Sequence, residues 1–186
     1  KWFRMAIFLS KKDIKLSQEF EKNGYIIKDI LDKSILKKME NKFVKFICKE
    51  LEIKKKYRPQ YILNNFHKFL TTKDLNSIRL KFIDKLNASL EFRKHYYLMA
   101  KPYLDILVGN ELVMQNRINL SIQIPKDSSS LLALHSDVWA GDSPFEVVVW
   151  LPLVNCYKTK AMYLLPPKKN KKFEKKFYKM SKKNSE

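Results

Sequence analysis

The stretch "MQNRINLSIQIP" (Met114–Pro125) decides how this chain is interpreted, because the spacing of its apolar residues changes there. Polar and apolar side chains alternate strictly in it: Arg117, Asn119, Ser121 and Gln123 on one side, Ile118, Leu120, Ile122 and Ile124 on the other. A repeat of two residues is typical of a β-strand with one buried face. Upstream of Gly109, a plausible helix stop, the repeat is instead three to four residues. The sequence therefore predicts helices first and strands afterwards.

The chain before Gly109 has the pattern of amphipathic helices. After a break at Asn23-Gly24 and a short β-like run, Tyr25–Leu31, Asp32 is placed to cap a helix. Apolar residues then recur at helical spacing, at Ile35, Leu36, Met39, Phe43, Phe46, Ile47 and Leu51, and again at Leu75, Ile78, Phe82, Leu86 and Leu90. Residues 1–110 are predicted to be a helical lead-in.

The chain after Gly109 contains three further strand-like runs. "PKDSSS" is a turn by composition, and it is followed by "LLALHSDVW", "FEVVVWLPL" and "AMYLLPP". This order predicts an α+β fold in which helices flank an antiparallel sheet, either a sandwich or a jelly-roll barrel. Residues 111–167 would form the first strands, and residues 168–186 a lysine-rich helix or tail, all within one domain at 1–186.

Composition limits the possible partners and compartments. No apolar run is long enough to span a membrane, and the start lacks the features of a signal peptide. Two distant cysteines, Cys48 and Cys156, fit a reducing cytoplasm. The net charge of +19 suggests nucleic-acid binding, but lysine is abundant together with Ile, Asn, Phe and Tyr, as an AT-rich coding sequence produces. We therefore expect a cytoplasmic protein and do not expect a nucleic-acid partner.

His135-Ser136-Asp137 is the one motif in the chain that suggests chemistry. A non-haem iron(II) oxygenase holds its metal on one octahedral face with two histidines and one carboxylate. Residues two apart on a strand point to the same side, so His-x-Asp at a strand end could supply two of these ligands. The alternative is a hydrogen-bonded pair at the end of a strand.

The surrounding sequence resembles a known family. "HSDVWAGDSPFEVVVWLPL" (His135–Leu153) with "CYKT" (Cys156–Thr159) is similar to iron(II)/2-oxoglutarate oxygenases of the sporadic carbohydrate cluster family. These are related to a streptomycin-cluster enzyme and, more distantly, to phytanoyl-CoA dioxygenases. The segment "FEKNGYIIKDILDKSIL" (Phe20–Leu36) of this chain resembles the lead-in of phytanoyl-CoA-type dioxygenases. The resemblance covers about residues 14–167. It implies a cupin-like double-stranded β-helix, Fe(II), 2-oxoglutarate, and a role in carbohydrate or surface-glycan biosynthesis.

Carried over onto this chain, the resemblance assigns His135 and Asp137 as metal ligands and supplies no more of the site. The third ligand and the arginine that anchors 2-oxoglutarate have no counterpart, because His67 and His95 precede the motif in helical sequence. We expect the chain to be a fragment truncated at its C-terminus, whose coding sequence continues past Glu186. Met5 is a candidate for the true start.

Other residues of the strand-like runs are candidates for the pocket, each with a simpler alternative. Ser121 and Gln123 are predicted to contact 2-oxoglutarate and Asn119 the substrate, if this polar face lines a barrel; otherwise it is a solvated face. Trp139 and Glu146 are candidate substrate contacts that could instead pack or face water. Tyr163 is a further candidate for binding 2-oxoglutarate.

The expected function is that of an Fe(II)/2-oxoglutarate-dependent oxygenase acting on a small-molecule or carbohydrate substrate, inactive as this fragment. Two alternatives remain open at this point. One is a non-catalytic, cupin-like sugar-binding domain without metal, and the other is a basic nucleic-acid-binding module. The sequence does not determine the substrate, the type of oxidation or the oligomeric state.

Overall fold

The protein, seen in a computed structural model, is built from α-helices joined by extended segments and short 3-10 turns. The structure describes residues 9–71, 73–128, 131, 135–171, 173 and 175–176, without the side chains of residues 139 and 140. The helices are α1 (Lys11–Asn23), α2 (Lys33–Glu50), α3 (Pro59–Asn64), α4 (Leu75–Asn87) and α5 (Leu90–Leu107). Short 3-10 helices occupy Phe66–Lys68, Asp137–Ala140 and Lys158–Lys160.

The helix boundaries follow local capping chemistry. Ser10 begins α1 with a capping box, in which its hydroxyl accepts from the Asp13 N–H and the Asp13 carboxylate accepts from the Ser10 N–H. Gly24 ends α1 in the left-handed region at φ 76°, where a residue without Cβ is favoured. Asp32 caps α2 by accepting from the Ser34 N–H at 2.9 Å. The predicted cap at Asp32 and the predicted break at Asn23-Gly24 are confirmed.

The chain divides into two compact units, each described here by itself. One contains the described residues of Lys1–Asp29, Pro102–Glu111 and Tyr157–Glu186, and the other contains Ile30–Lys101 and Leu112–Cys156. In the first unit, the Tyr103 hydroxyl donates to the Asp29 carbonyl at 2.6 Å, and Lys28 pairs with Glu19 at 2.8 Å.

The second unit holds the main apolar core. Phe82 of α4 is fully buried, and its ring meets Phe43 edge to face at 5.6 Å and Phe66 at 6.0 Å. The other buried members of this core are Met39, Val44, Ile47, Ile62, Leu86, Phe92 and Ile118. In α2, Met39, Phe43 and Ile47 lie at the four-residue spacings of the sequence pattern, and so do Phe82 and Leu86 in α4, which is why each of these two helices buries one stripe.

The predicted α+β fold with part of a jelly roll is wrong for the part of the chain that the structure describes. No residue there belongs to a β-strand, including Tyr25–Leu31, residues 115–125, residues 145–153 and residues 161–167. The strand-like run at residues 131–139 lies partly outside the described residues, at 132–134. The double-stranded β-helix that the resemblance implies is therefore also absent from the described residues. The alternative of a cupin-like sugar-binding domain loses its structural support for the same reason.

The strand prediction is wrong for a physical reason. Alternation of polar and apolar residues specifies which face of an extended segment is buried, but it does not specify which groups form hydrogen bonds with its backbone. Ile118 is buried, Leu120 and Ile122 are partly buried, and Asn119 and Ser121 between them are exposed, as alternation predicts. The buried face rests on the helices, however, and helix side chains satisfy the backbone. The Tyr96 hydroxyl of α5 donates to the Val149 carbonyl at 2.5 Å, in the place where a neighbouring strand would pair.

The lysine-rich segment is helical where it is described, at residues 167–171, 173 and 175–176. Residues 177–186 lie outside the described part. In the described residues, no helix combines the length and the apolar character needed to cross a membrane.

Candidate metal centre

His135 and Asp137 lie where an extended segment turns into a 3-10 helix. Ser136 between them is extended, at φ −130° and ψ 137°, and Asp137 is the first residue of the 3-10 helix. Gly141 closes this turn in the left-handed region at φ 98°, and its N–H donates to the Val138 carbonyl. The expected strand end is therefore a loop, but the extended Ser136 still places its two neighbours on one side of the chain.

The two side chains are close together and open to solvent. His135 Nε2 lies 3.8 Å from Asp137 Oδ1, and the side chains are 54% and 50% exposed. Two adjacent ligands of an octahedral ion stand roughly 3 Å apart, given metal–ligand bonds of about 2.1 Å. Small rotations of these two half-exposed side chains would close the difference. The pair therefore fits two neighbouring positions around a metal ion.

A complete protein triad is not assembled from the residues that the structure describes. They contain no group of three or more His, Cys, Asp or Glu side chains that could hold a metal. The chain has three histidines, and the other two lie on helical elements: His67 in the 3-10 helix Phe66–Lys68 and His95 in α5. Among the described residues, the structure thus brings together the two candidate ligands that the sequence singled out, without a third.

The other predicted pocket residues lie at the surface. Asn119, Ser121 and Gln123 share an exposed face, which is the placement that a solvated face would have. Glu146 and Tyr163 are also exposed, and Tyr163 belongs to the other structural unit from His135. The side chain of Trp139 lies outside the described residues. Roles of these residues in binding 2-oxoglutarate or substrate remain predictions.

A second surface, which sequence reasoning did not single out, lies along α2. Two open hollows of about 440 and 450 Å³ flank Asn41, which lines both. The cationic side chains of the two hollows are Lys33, Lys37, Lys38, Lys42, Lys45 and Arg58, and we call this set the α2 basic surface. Its carboxylates are Glu91, paired with Lys42 at 2.7 Å, and Glu40, which accepts from Gln60.

A stacked tyrosine pair adjoins the α2 basic surface. The rings of Tyr57 and Tyr61 are nearly parallel, at 13°, with centroids 4.7 Å apart. Lys55 Nζ lies 5.3 Å from the Tyr57 centroid, and Lys68 Nζ lies 5.9 Å from the Tyr61 centroid. The stretch "KKKYRPQY" (residues 54–61) indicates this pair in the sequence, because its two tyrosines are four residues apart and flank a proline that begins a helix.

No family model, no curated protein and no solved structure matches this chain. The residues and their geometry therefore carry the functional argument.

Proposed function

We propose that this chain contributes the His-x-Asp half of an iron(II) site in an Fe(II)/2-oxoglutarate-dependent oxygenase of carbohydrate or surface-glycan biosynthesis. The observation that supports the proposal best is the 3.8 Å approach of His135 Nε2 to Asp137 Oδ1. The string around the pair, which resembles the oxygenases of the sporadic carbohydrate cluster family, supplies the reaction class.

The two residues would have distinct roles. A neutral His135 would offer the Nε2 lone pair to the metal, and Asp137 would offer an anionic oxygen that offsets part of the metal's charge. Ser136, which is extended, would set the separation of the two ligands through its backbone. When bound, iron with 2-oxoglutarate supplies the oxygen-activating chemistry that oxidises a carbon centre of the substrate.

The proposal predicts weak metal binding by the 186-residue chain, because two protein ligands leave most of the coordination sphere to water. Anaerobic equilibrium dialysis with Fe(II) measures it on the wild type, His135→Ala and Asp137→Ala. His67→Ala is the matched control, since it removes a histidine at an exposed position outside the pair. Each ligand variant should bind Fe(II) at least about tenfold more weakly than the wild type, and the control should match the wild type.

Equal Fe(II) affinity in the wild type and His135→Ala would overturn the metal-site proposal. The same preparations, given 2-oxoglutarate and oxygen, should release little succinate, since the described residues offer no third ligand. Stoichiometric succinate release that persists in Asp137→Ala would show that the oxidation does not depend on the proposed metal pair.

A further inference from the structure

The α2 basic surface concentrates positive charge along one helix. Its lysines run from Lys33 to Lys45, a distance of about 18 Å at 1.5 Å per residue. Six cations meet two carboxylates there, and Lys42–Glu91 is the salt bridge among the residues that line the hollows. Lys33, Lys37, Lys38 and Lys45 are exposed. A single phosphate could neutralise only part of this surface, so its geometry suits an extended polyanion with several phosphates.

The tyrosine stack gives this surface a second recognition element. Tyr57 is half-buried and braced by the edge of Phe69 at 5.7 Å, whereas Tyr61 is 41% exposed. Because Tyr61 stacks on the braced ring of Tyr57, it can offer a flat apolar face to a ligand without a large loss of side-chain entropy on binding. Arg58, Pro59 and Gln60, which line one hollow, are the residues between the two tyrosines. The aromatic face and the basic hollow are therefore joined by consecutive residues of one turn.

We propose that α2 and the Tyr57–Tyr61 stack form a binding surface for single-stranded nucleic acid. Phosphates contact the lysines of α2 and Arg58, and an unpaired base stacks on Tyr61 in place of the Lys68 ammonium. Cationic grooves combined with exposed aromatic rings are the common design of sites that bind single strands without sequence preference. Lysine serves this purpose well, because the backbone is held by charge and no base edge has to be read.

The composition of the chain predicts no nucleic-acid partner, because lysine is abundant throughout. A compositional bias raises the numbers of lysines and tyrosines, but it does not bring two tyrosine rings into a stack beside a row of lysines; that placement is a feature of the fold. Lysines on α1, in the other unit, provide the internal comparison: Lys12, Lys15 and Lys22 are also exposed, and the described residues place no stacked pair of rings beside them.

Fluorescence anisotropy with the full chain tests the proposal, using labelled twelve-nucleotide dT and U oligomers and a twelve-unit abasic phosphodiester as probes. The wild type should bind both oligomers, with an affinity that falls steeply as salt rises. Tyr61→Ala should weaken binding about tenfold, and Tyr61→Phe should retain it, because stacking needs the ring and not the hydroxyl. The abasic probe should bind about tenfold more weakly than dT and be insensitive to Tyr61→Ala.

A triple variant, Lys37→Ala with Lys38→Ala and Lys45→Ala, should also weaken binding and reduce the slope of log affinity against log salt by about two. The matched control removes the same charge from α1, with Lys12→Ala, Lys15→Ala and Lys22→Ala, and should bind nearly as well as the wild type. An equal loss in both triple variants would mean that net charge alone drives binding, and the proposed surface would be wrong. Unchanged affinity in Tyr61→Ala, or equal binding of the abasic probe, would overturn the stacking role.

Discussion

Asn87 and Ile118 are joined by two hydrogen bonds that reproduce the pairing between two β-strands. Asn87 Nδ2 donates to the Ile118 carbonyl at 2.9 Å, and the Ile118 N–H donates to Asn87 Oδ1 at 2.7 Å. The same Nδ2 also donates to the Ile83 carbonyl at 2.8 Å, which fixes the amide at the end of α4. One side-chain amide thus satisfies the backbone of a buried residue that a sheet would otherwise have to satisfy.

Replacement of Asn87 by alanine is expected to lower the free energy of unfolding by about 2–4 kcal/mol, because it leaves two buried backbone groups of Ile118 unpaired. Asn87→Asp keeps the acceptor for the Ile118 N–H but turns a carboxylate oxygen towards the carbonyls of Ile83 and Ile118, so the free energy of unfolding should fall by at least as much. Urea denaturation measures both. Asn76→Ala, which removes an exposed amide bonded to Arg79, is the control and should change stability by less than about 0.5 kcal/mol. A loss in Asn87→Ala no larger than in the control would contradict the role of this amide.

Glu50 should make stability depend on pH in the acid range. It pairs with Lys81 at 2.8 Å and also with Lys85, and hydrogen bonds from these two ammonium groups hold the pKa of Glu50 at about 2, below its ordinary 4.5. Because this pKa is depressed in the folded state, the stabilisation is complete above about pH 4.5 and disappears as the pH falls towards 2.

The measurement is the urea midpoint of the wild type and Glu50→Gln from pH 6 to pH 2. The wild type should be the more stable at pH 6, and the difference should vanish near pH 2. Glu52→Gln, two residues further along the chain at an exposed position, is the control for loss of one negative charge. A difference between wild type and Glu50→Gln that stays constant down to pH 2 would contradict the ion-pair explanation.

Gly24 should tolerate alanine less well than Gly109 does. Both have positive φ, 76° and 90°, so alanine costs about 1–2 kcal/mol at either position. At Gly24 an added Cβ would also lie 3.0 Å from Cδ and Cγ of Pro167, whereas nothing lies within 4 Å of a Cβ at Gly109. Thermal unfolding of Gly24→Ala and Gly109→Ala separates the cost of backbone strain, which both share, from the cost of the contact with Pro167, which only Gly24→Ala has. Equal losses of stability would contradict this prediction and show that Pro167 moves aside freely.

Phe82 should be the side chain whose truncation costs most in the core. It is fully buried between the rings of Phe43 and Phe66, so Phe82→Ala should cost about 3–5 kcal/mol. Leu90→Ala removes a large apolar side chain that is 82% exposed and should change stability little. Chemical denaturation compares the two. A small loss in Phe82→Ala would mean that the core refills the cavity.

Several features of this protein follow from the sequence alone. They are the N-cap of α2 at Asp32, the C-cap of α1 at Gly24 and the buried stripes that include Phe43 and Phe82. Each depends on residues that lie within one or two helical turns of each other. Helical hydrogen bonds join residue i to residue i+4, so local sequence contains most of the information needed. The alternation around Ile118 also correctly indicates which side chains are buried. His135 and Asp137 come together for the same reason, because one extended residue separates them.

The tertiary structure decided what the sequence pattern left open. An extended segment has no hydrogen-bond partner of its own, and its pairing with another strand or with a helix side chain depends on residues far away in the chain. Asn87 is 31 positions from Ile118, and Tyr96 is 53 from Val149. The same holds for the surfaces: only folding places Arg58 beside Lys33 and Lys37, and only folding determines whether a third ligand stands beside His135. Local periodicity cannot encode such contacts, because their formation depends on how the helices pack.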